Sequence, residues 1–198
     1  MKKIFLIATL SACIQSYSQT TGYTDSIKSY LDGYVKEHEV VTGDDKKYLQ
    51  FFPIDESYKI TAKFEKSSNP SWFNMEAKGN KKKLYRVYGT VSFAINNTPL
   101  KLNIYQSQSL MEDPQYQNYL LLLFTDLTSG KESYEGGRYL DFTISDIKDD
   151  QLIIDFNKAY NPYCAYEKNK YNCPVPPKEN NLPIAIRAGE KLYLKKTN

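Results

Sequence analysis

The stretch LYRVYGTVSFAINNTPLKLNIY, Leu84–Tyr105, decides the fold of this chain. Leu84–Ile95 reads as one long strand, with Gly89 placed where a bulge or bend would sit. Asn96 and Asn97 reverse it into a second strand, Leu100–Tyr105, because paired asparagines tolerate the left-handed backbone of a tight hairpin turn. Working upstream, Tyr58–Glu65 alternates with a period of two. Trp72–Ala77 follows a Ser-Ser-Asn-Pro turn and is reversed by Gly79 and Asn80. Working downstream, Gln115–Leu127 contains the apolar run Tyr119–Phe124, the pattern of a strand covered on both faces or sitting at a barrel seam. Tyr139–Ile144 and Leu152–Phe156 flank a charged turn from Asp146 to Asp150. A last strand pair is expected around Ile184–Ile186 and Leu192–Leu194, joined through Ala188, Gly189 and Glu190. Some eight strands with no alternating helices predict a mainly β fold, a curved antiparallel sandwich or a partly open barrel.

One N-terminal amphipathic helix precedes the strands. Over Thr24–Glu39, Ile27, Tyr30, Leu31, Tyr34 and Val35 recur at helical spacing, with Thr24 and Asp25 available as the N-cap and Gly33 as a mild break. His38, near its end, reads as a surface histidine favoured by the helix dipole. After the polar turn Thr42–Asp45, Tyr48–Pro53 reads as an extended, buried lead-in.

A length of 198 residues, 41% apolar and 25% charged, suits one well-buried core. The opening MKKIFLIATLSACIQSYSQ has two lysines, an apolar run Ile4–Ile14 too short to span a bilayer, and then small polar residues, which is the pattern of an export signal over residues 1–18. Two processing routes fit it. Ser16 and Ser18 suit ordinary signal peptidase and a mature start at Gln19, whereas Leu10-Ser11-Ala12-Cys13 resembles a lipobox in which Cys13 is lipidated. The organisation expected is therefore signal 1–18, helix and lead-in 19–47, and a single β domain 48–198, exported to the periplasm or carried as an outer-membrane lipoprotein of a bacterium. The membrane would be met only through an N-terminal lipid. Without Lys2 and Lys3 the chain has 24 basic residues against 23 acidic, a balance that offers no phosphate-binding surface and argues against nucleic acid.

Two polar loops carry the residues that can do chemistry, and both are expected to leave adjacent strands and share a pocket. The first, 126–141, offers Asp126, Glu132, Tyr134, Arg138 and Asp141. The second, 155–180, offers Asp155, Asn157, Tyr160, Asn161, Glu179 and Asn180. The longer segment Asp155–Gly189 also holds five of the nine prolines and both cysteines outside the leader, so ordering it needs a function or a structural role. Arg138 with Asp126, Asp141 or Asp155 makes either an acid/base cluster or a pin that ties the loops together. The tyrosines offer stacking faces for a sugar or another flat ligand. Cys164 and Cys173 read as a disulfide worth about 2–3 kcal/mol, with structural free thiols or a metal or redox pair as the other readings. No nucleophile elbow or phosphate loop is present, His38 is the single histidine, and no cofactor or metal is expected.

The blocks LTSGKESYEGGRYLD (Leu127–Asp141), DFNKAYNPYCAY (Asp155–Tyr166), CPVPPKEN (Cys173–Asn180) and IRAGEK (Ile186–Lys191) resemble, in order, the bacterial family catalogued as domain of unknown function 1684. The likeness spans roughly Tyr48–Leu194 and departs at Ser133, where the family pattern has threonine. It implies a mainly β fold and a shared surface on these blocks, and it brings no established activity. The reading that results is an exported envelope binding or interaction module acting on a small polar ligand or an envelope protein partner. A hydrolase-like enzyme using Asp126, Arg138, Asp141 and Asp155 on a small polar or glycan ligand, and a structural subunit of an outer-membrane assembly, are the alternatives.

Overall fold

The computed structural model describes residues 11–79, 82–167 and 169–195, and of residues 11–21 the backbone alone. Helix α1 runs Ser11–Glu37. Thr24 and Asp25 therefore lie inside it instead of capping it, and Gly33 does not interrupt it. A helical glycine costs only about 1 kcal/mol, and Tyr23, Ile27 and Tyr34 fasten the helix to the body on both sides of that position. Of the expected export signal, residues 1–10 lie outside the described residues, and of Cys13 only its place in α1 is described. Among the described residues no helix is long and apolar enough to cross a membrane.

The strands are β1 Lys59–Lys66, β2 Phe73–Met75, β3 Lys83–Ile95, β4 Thr98–Ser107, β5 Tyr119–Phe124, β6 Arg138–Thr143 and β7 Gln151–Asp155. All seven join one antiparallel sheet in the order β6-β5-β4-β3-β1-β7, with β2 continuing the line of β1 along the first residues of β3. The sheet curls into a half-barrel. The β3–β4 hairpin turns on Asn96 and Asn97, both with positive φ (49° and 62°), the backbone that matches strand twist in a two-residue turn. The expected bulge is present as a register shift between Val87 and Gly89. A Cβ on Gly89 would lie 2.4 Å from the Phe64 ring and 2.8 Å from the Glu65 carbonyl oxygen, so glycine lets β1 press against β3 at the bend.

Leu120, Leu122 and Phe124 of β5 face the main core with Val91, Leu102, Ile104, Leu140, Ile154 and Phe156. Leu121 and Leu123 face a second cluster with Met75, Tyr85, Tyr105 and Tyr139. The continuous apolar run thus marks a strand buried on both faces, because the coil after β7 folds back over the outer face of the sheet.

The last expected strand pair does not form: Ile184–Ile186 and Leu192–Leu194 are irregular, with no ladder between them. Their backbone groups are taken elsewhere. The Ile184 carbonyl accepts from Leu127 N, Lys191 N donates to Gln50 O, and Leu192 N donates to Glu132 O. Phe51 bridges Glu190, which confirms the extended lead-in for its second half, while Gly43–Tyr48 forms a 3₁₀ helix.

Replacing Gly89 by alanine should destabilise the fold by about 1–3 kcal/mol through overpacking. Gly33→Ala, in open space on a helix, should instead stabilise it by about 0.5–1 kcal/mol. Urea unfolding of the two variants checks both signs; equal effects would show that the bend at Gly89 is not sterically enforced.

Candidate functional site

Arg138, at the start of β6, is 1% exposed and lies between the rings of Phe52 and Phe124, 5.6 and 5.3 Å from their centroids. Its Nη2 donates to Asp126 Oδ2 at 2.7 Å, to the Ile186 carbonyl at 2.8 Å and to Thr128 Oγ1 at 3.4 Å. Its Nη1 donates to the carbonyls of Ala188 and Glu190. Burial pulls the guanidinium below its ordinary pKa, and the Asp126 carboxylate opposes that shift. The fork therefore captures three carbonyls of the C-terminal segment, those of Ile186, Ala188 and Glu190, which holds it by side-chain chemistry without a ladder. Arg138 and Asp126 form a sealed pin with no face open to a ligand.

The remaining candidates disperse. Glu132 is at the surface, paired with Arg187 at 2.9 Å. Asp155 accepts from Tyr23 of α1 at 3.0 Å on both oxygens and from Asn157 N at 3.1 Å, and the Asn157 amide continues to Asp55 O at 2.8 Å. This group ties the helix to β7. The four residues expected as an acid/base cluster therefore do not meet: Asp126 and Arg138 are sealed in, Asp155 is spent on Tyr23, and Asp141 stands apart. The two loops also leave opposite ends of the sheet, β6 and β7, not adjacent strands. Curling turns those edges toward each other, and Tyr160 closes the distance by bridging Tyr139 of β6.

Asn180 is a structural wedge. Its amide donates to Asn103 O and Leu123 O at 2.9 and 2.7 Å and accepts from Asn103 N, joining β4 and β5 where their ladder opens. Glu179 next to it is exposed. Tyr134 donates to the Cys164 carbonyl at 3.3 Å, and Tyr139 to that of Pro174, so the first loop and the proline coil do meet. Cys164 and Cys173 are joined as a disulfide.

What faces solvent at this junction is Asp141. Tyr119 from β5 and Tyr160 from the coil both donate to its Oδ1, at 2.6 and 2.7 Å. Among the described residues no donor is directed at Oδ2. The carboxyl lies at the surface yet is ringed closely by protein, and this desolvation pushes its pKa up while the two phenols pull it back. Burial holds both phenols well above their ordinary pKa, so they stay protonated donors. Asp141 sits where two cavities meet. One, of about 470 Å³, lies between the edges of β6 and β7. The other, of about 550 Å³, is walled by Tyr30, Tyr34, Tyr160, Tyr163, Tyr171 and Lys83. Both volumes suit a small-ligand site.

Two residues escaped the sequence reading. Glu190 is fully buried and accepts from Tyr34 of α1 at 3.1 Å, from Tyr166 at 2.7 Å and from Asn161 N at 2.8 Å. Its carboxyl is pushed up to about 7 by burial against these hydrogen bonds. His38, expected at the surface, is 7% exposed. Its Nδ1 accepts from Val41 N at 2.9 Å, and burial lowers its pKa, so the imidazole is the neutral tautomer with its proton on Nε2. The only signal for Glu190 was its place in the IRAGEK block, and none existed for the burial of His38. Among the described residues no three His, Cys, Asp or Glu side chains converge to hold a metal ion.

Glu190 sets a pH dependence whose sign is fixed. Its folded pKa, about 7, exceeds the ordinary 4.5, so the folded state binds the extra proton between these values and stability falls as pH rises through that window. The loss is on the order of 3 kcal/mol and is complete above pH 7. Thermal unfolding of Glu190→Gln from pH 4 to 8 should lack this part of the slope; an unchanged slope would show that Glu190 ionises at its ordinary pH.

A family model described as a protein of unknown function, DUF1684, matches residues 46–191. The fold is similar to the solution NMR structure of an uncharacterized protein from Haloarcula marismortui, with 26% identity and a TM-score of 0.65, covering 90% of this chain and 99% of that one. No curated protein matches the chain. The family match covers the sheet, the Arg138 pin and Asp141, but not helix α1 with Tyr30 and Tyr34, and the chain belongs to the DUF1684 family.

Proposed function

We propose that this protein is an exported binding module of the cell envelope, and that its ligand site is the tyrosine-walled groove centred on Asp141. The observation that carries this reading is the pair of phenols fixed on Asp141 Oδ1, which orients the carboxyl and leaves its second oxygen to a ligand. A polar group held by buried neighbours at the mouth of an aromatic cavity is a recognition device. The disulfide between Cys164 and Cys173 fits an oxidising compartment, and with the leader-like first residues it supports export. Hydrolysis has less support, because the acid/base partners for Asp141 are occupied elsewhere: Asp126 by Arg138 and Asp155 by Tyr23.

The ligand class that suits the groove is small, polar and uncharged or weakly cationic, with hydroxyls for the carboxylate and a flat face for the rings. Saturation-transfer NMR with a panel of neutral sugars, polyols and amino acids tests the site. Binding is expected for the parent protein and should weaken about tenfold or more in Asp141→Asn, the loss of one charge-assisted hydrogen bond. Equal binding by Asp141→Asn, with its melting temperature unchanged, would refute the groove as the site.

A further inference from the structure

Three cavities, not two, meet at one side chain. Tyr30, on the face of α1 turned to the sheet, lines the cavity between β6 and β7, the tyrosine-walled cavity beside it, and a third of about 500 Å³ under the end of α1 formed with Tyr34, His38 and Tyr163. The residue is 41% exposed in the middle of the three, with Lys158 Nζ over its ring at 5.1 Å from the centroid. Asp141 and Tyr160 are shared by the first and second cavities, and Tyr34 and Tyr163 by the second and third. Adjoining through these shared walls, the three cavities make a trench beside the helix.

Deepening the groove reading and resting on it, we propose that the trench binds an uncharged oligosaccharide chain, with sugar rings against Tyr30 and Tyr163 and a sugar hydroxyl donating to Asp141 Oδ2. Tyr30 and Tyr163 are the exposed rings that offer stacking surface along the trench, while Tyr160 is packed against Tyr34 and Tyr139 and serves to hold Asp141. Charge disfavours a polyanion: Glu37 and Glu39 line one end, at the other Asp141, Asp146 and Asp155 offset Lys59, Lys148 and Lys158, and Lys83 is the one cation among the described residues of the middle cavity. Strand addition by an extended peptide is blocked at one point of the β6 edge. The Tyr139 backbone N–H and carbonyl that β6 turns to this side are already taken by Tyr160, at 2.9 and 3.1 Å.

Isothermal titration of the disulfide-intact protein with malto- and chito-oligosaccharides of one to six units tests the proposal. Affinity should rise about tenfold or more from one to three or four units in at least one series and then level off. In Tyr30→Ala that gain should shrink by about tenfold, and Tyr30→Phe should retain most of it, since the ring face and not the hydroxyl does the stacking. Affinity independent of chain length, a length gain untouched by Tyr30→Ala, or no binding of either series at any length would overturn the oligosaccharide assignment. Tight binding of an extended peptide in the same trench would overturn it in favour of strand addition. The groove reading fails separately, if Asp141→Asn leaves small-ligand binding unchanged.

Discussion

The buried guanidinium of Arg138 is the constraint on which the rest of the structure depends. It faces Asp126 and the carbonyls of Ile186, Ala188 and Glu190, with the rings of Phe52 and Phe124 above and below. A charge sealed at this depth needs partners, which both Nη atoms have while Nε has none among the described residues, and removing one partner of such a pair costs about 3–5 kcal/mol. The C-terminal segment is therefore held by side-chain chemistry where a sheet would use a ladder. Gly189, at φ 77°, makes this packing feasible, since a Cβ there would lie within 2.6 Å of the carbonyl oxygens of Phe156 and Ala159.

That anchoring places Glu190, and through it the helix. Glu190 receives Tyr34 from α1 and Tyr166 from the coil, while Asp155 receives Tyr23 one end further along the same helix. Two buried or half-buried carboxylates thus hold α1 beside the open side of the half-barrel, and the trench is the space left between them. Tyrosine is suited to each task here. Its ring fills volume, its hydroxyl reaches a carboxylate, and burial keeps that hydroxyl protonated and donating.

Much of the sheet was legible because its signals are local. Asn96-Asn97 can only be a tight reversal between two apolar strands, Gly89 sits where β1 closes on β3, and the unbroken run Leu120–Phe124 requires cover on both faces. Arg138 is a pin, as one reading of it allowed, but it ties Asp126 to Ile186, Ala188 and Glu190 and not to the 155–180 loop. The misses at the site are non-local. Nothing in the spacing of Ile184–Leu194 shows that an arginine some 50 residues away takes its carbonyls. That Asp155 serves the helix while Asp141 serves the groove follows from which sheet edge each occupies after curling, and β6 and β7 are distant in the ladder but neighbours in space. His38 looked exposed because a helix end usually is. Here Tyr34, Tyr163 and Tyr166 fold around it.

The central claim is that recognition occurs along Tyr30, Asp141, Tyr160 and Tyr163, on the face built by the Arg138-anchored coil. Mapping of ¹H–¹³C aromatic and ¹³C carboxyl chemical shifts during titration with an oligosaccharide tests it most directly. The account predicts that the largest shifts fall on those four side chains, with the Asp141 carboxyl moving and Glu190 still. Shifts concentrated on the far side of the sheet, around Trp72 and Arg86, with Asp141 silent, would contradict it.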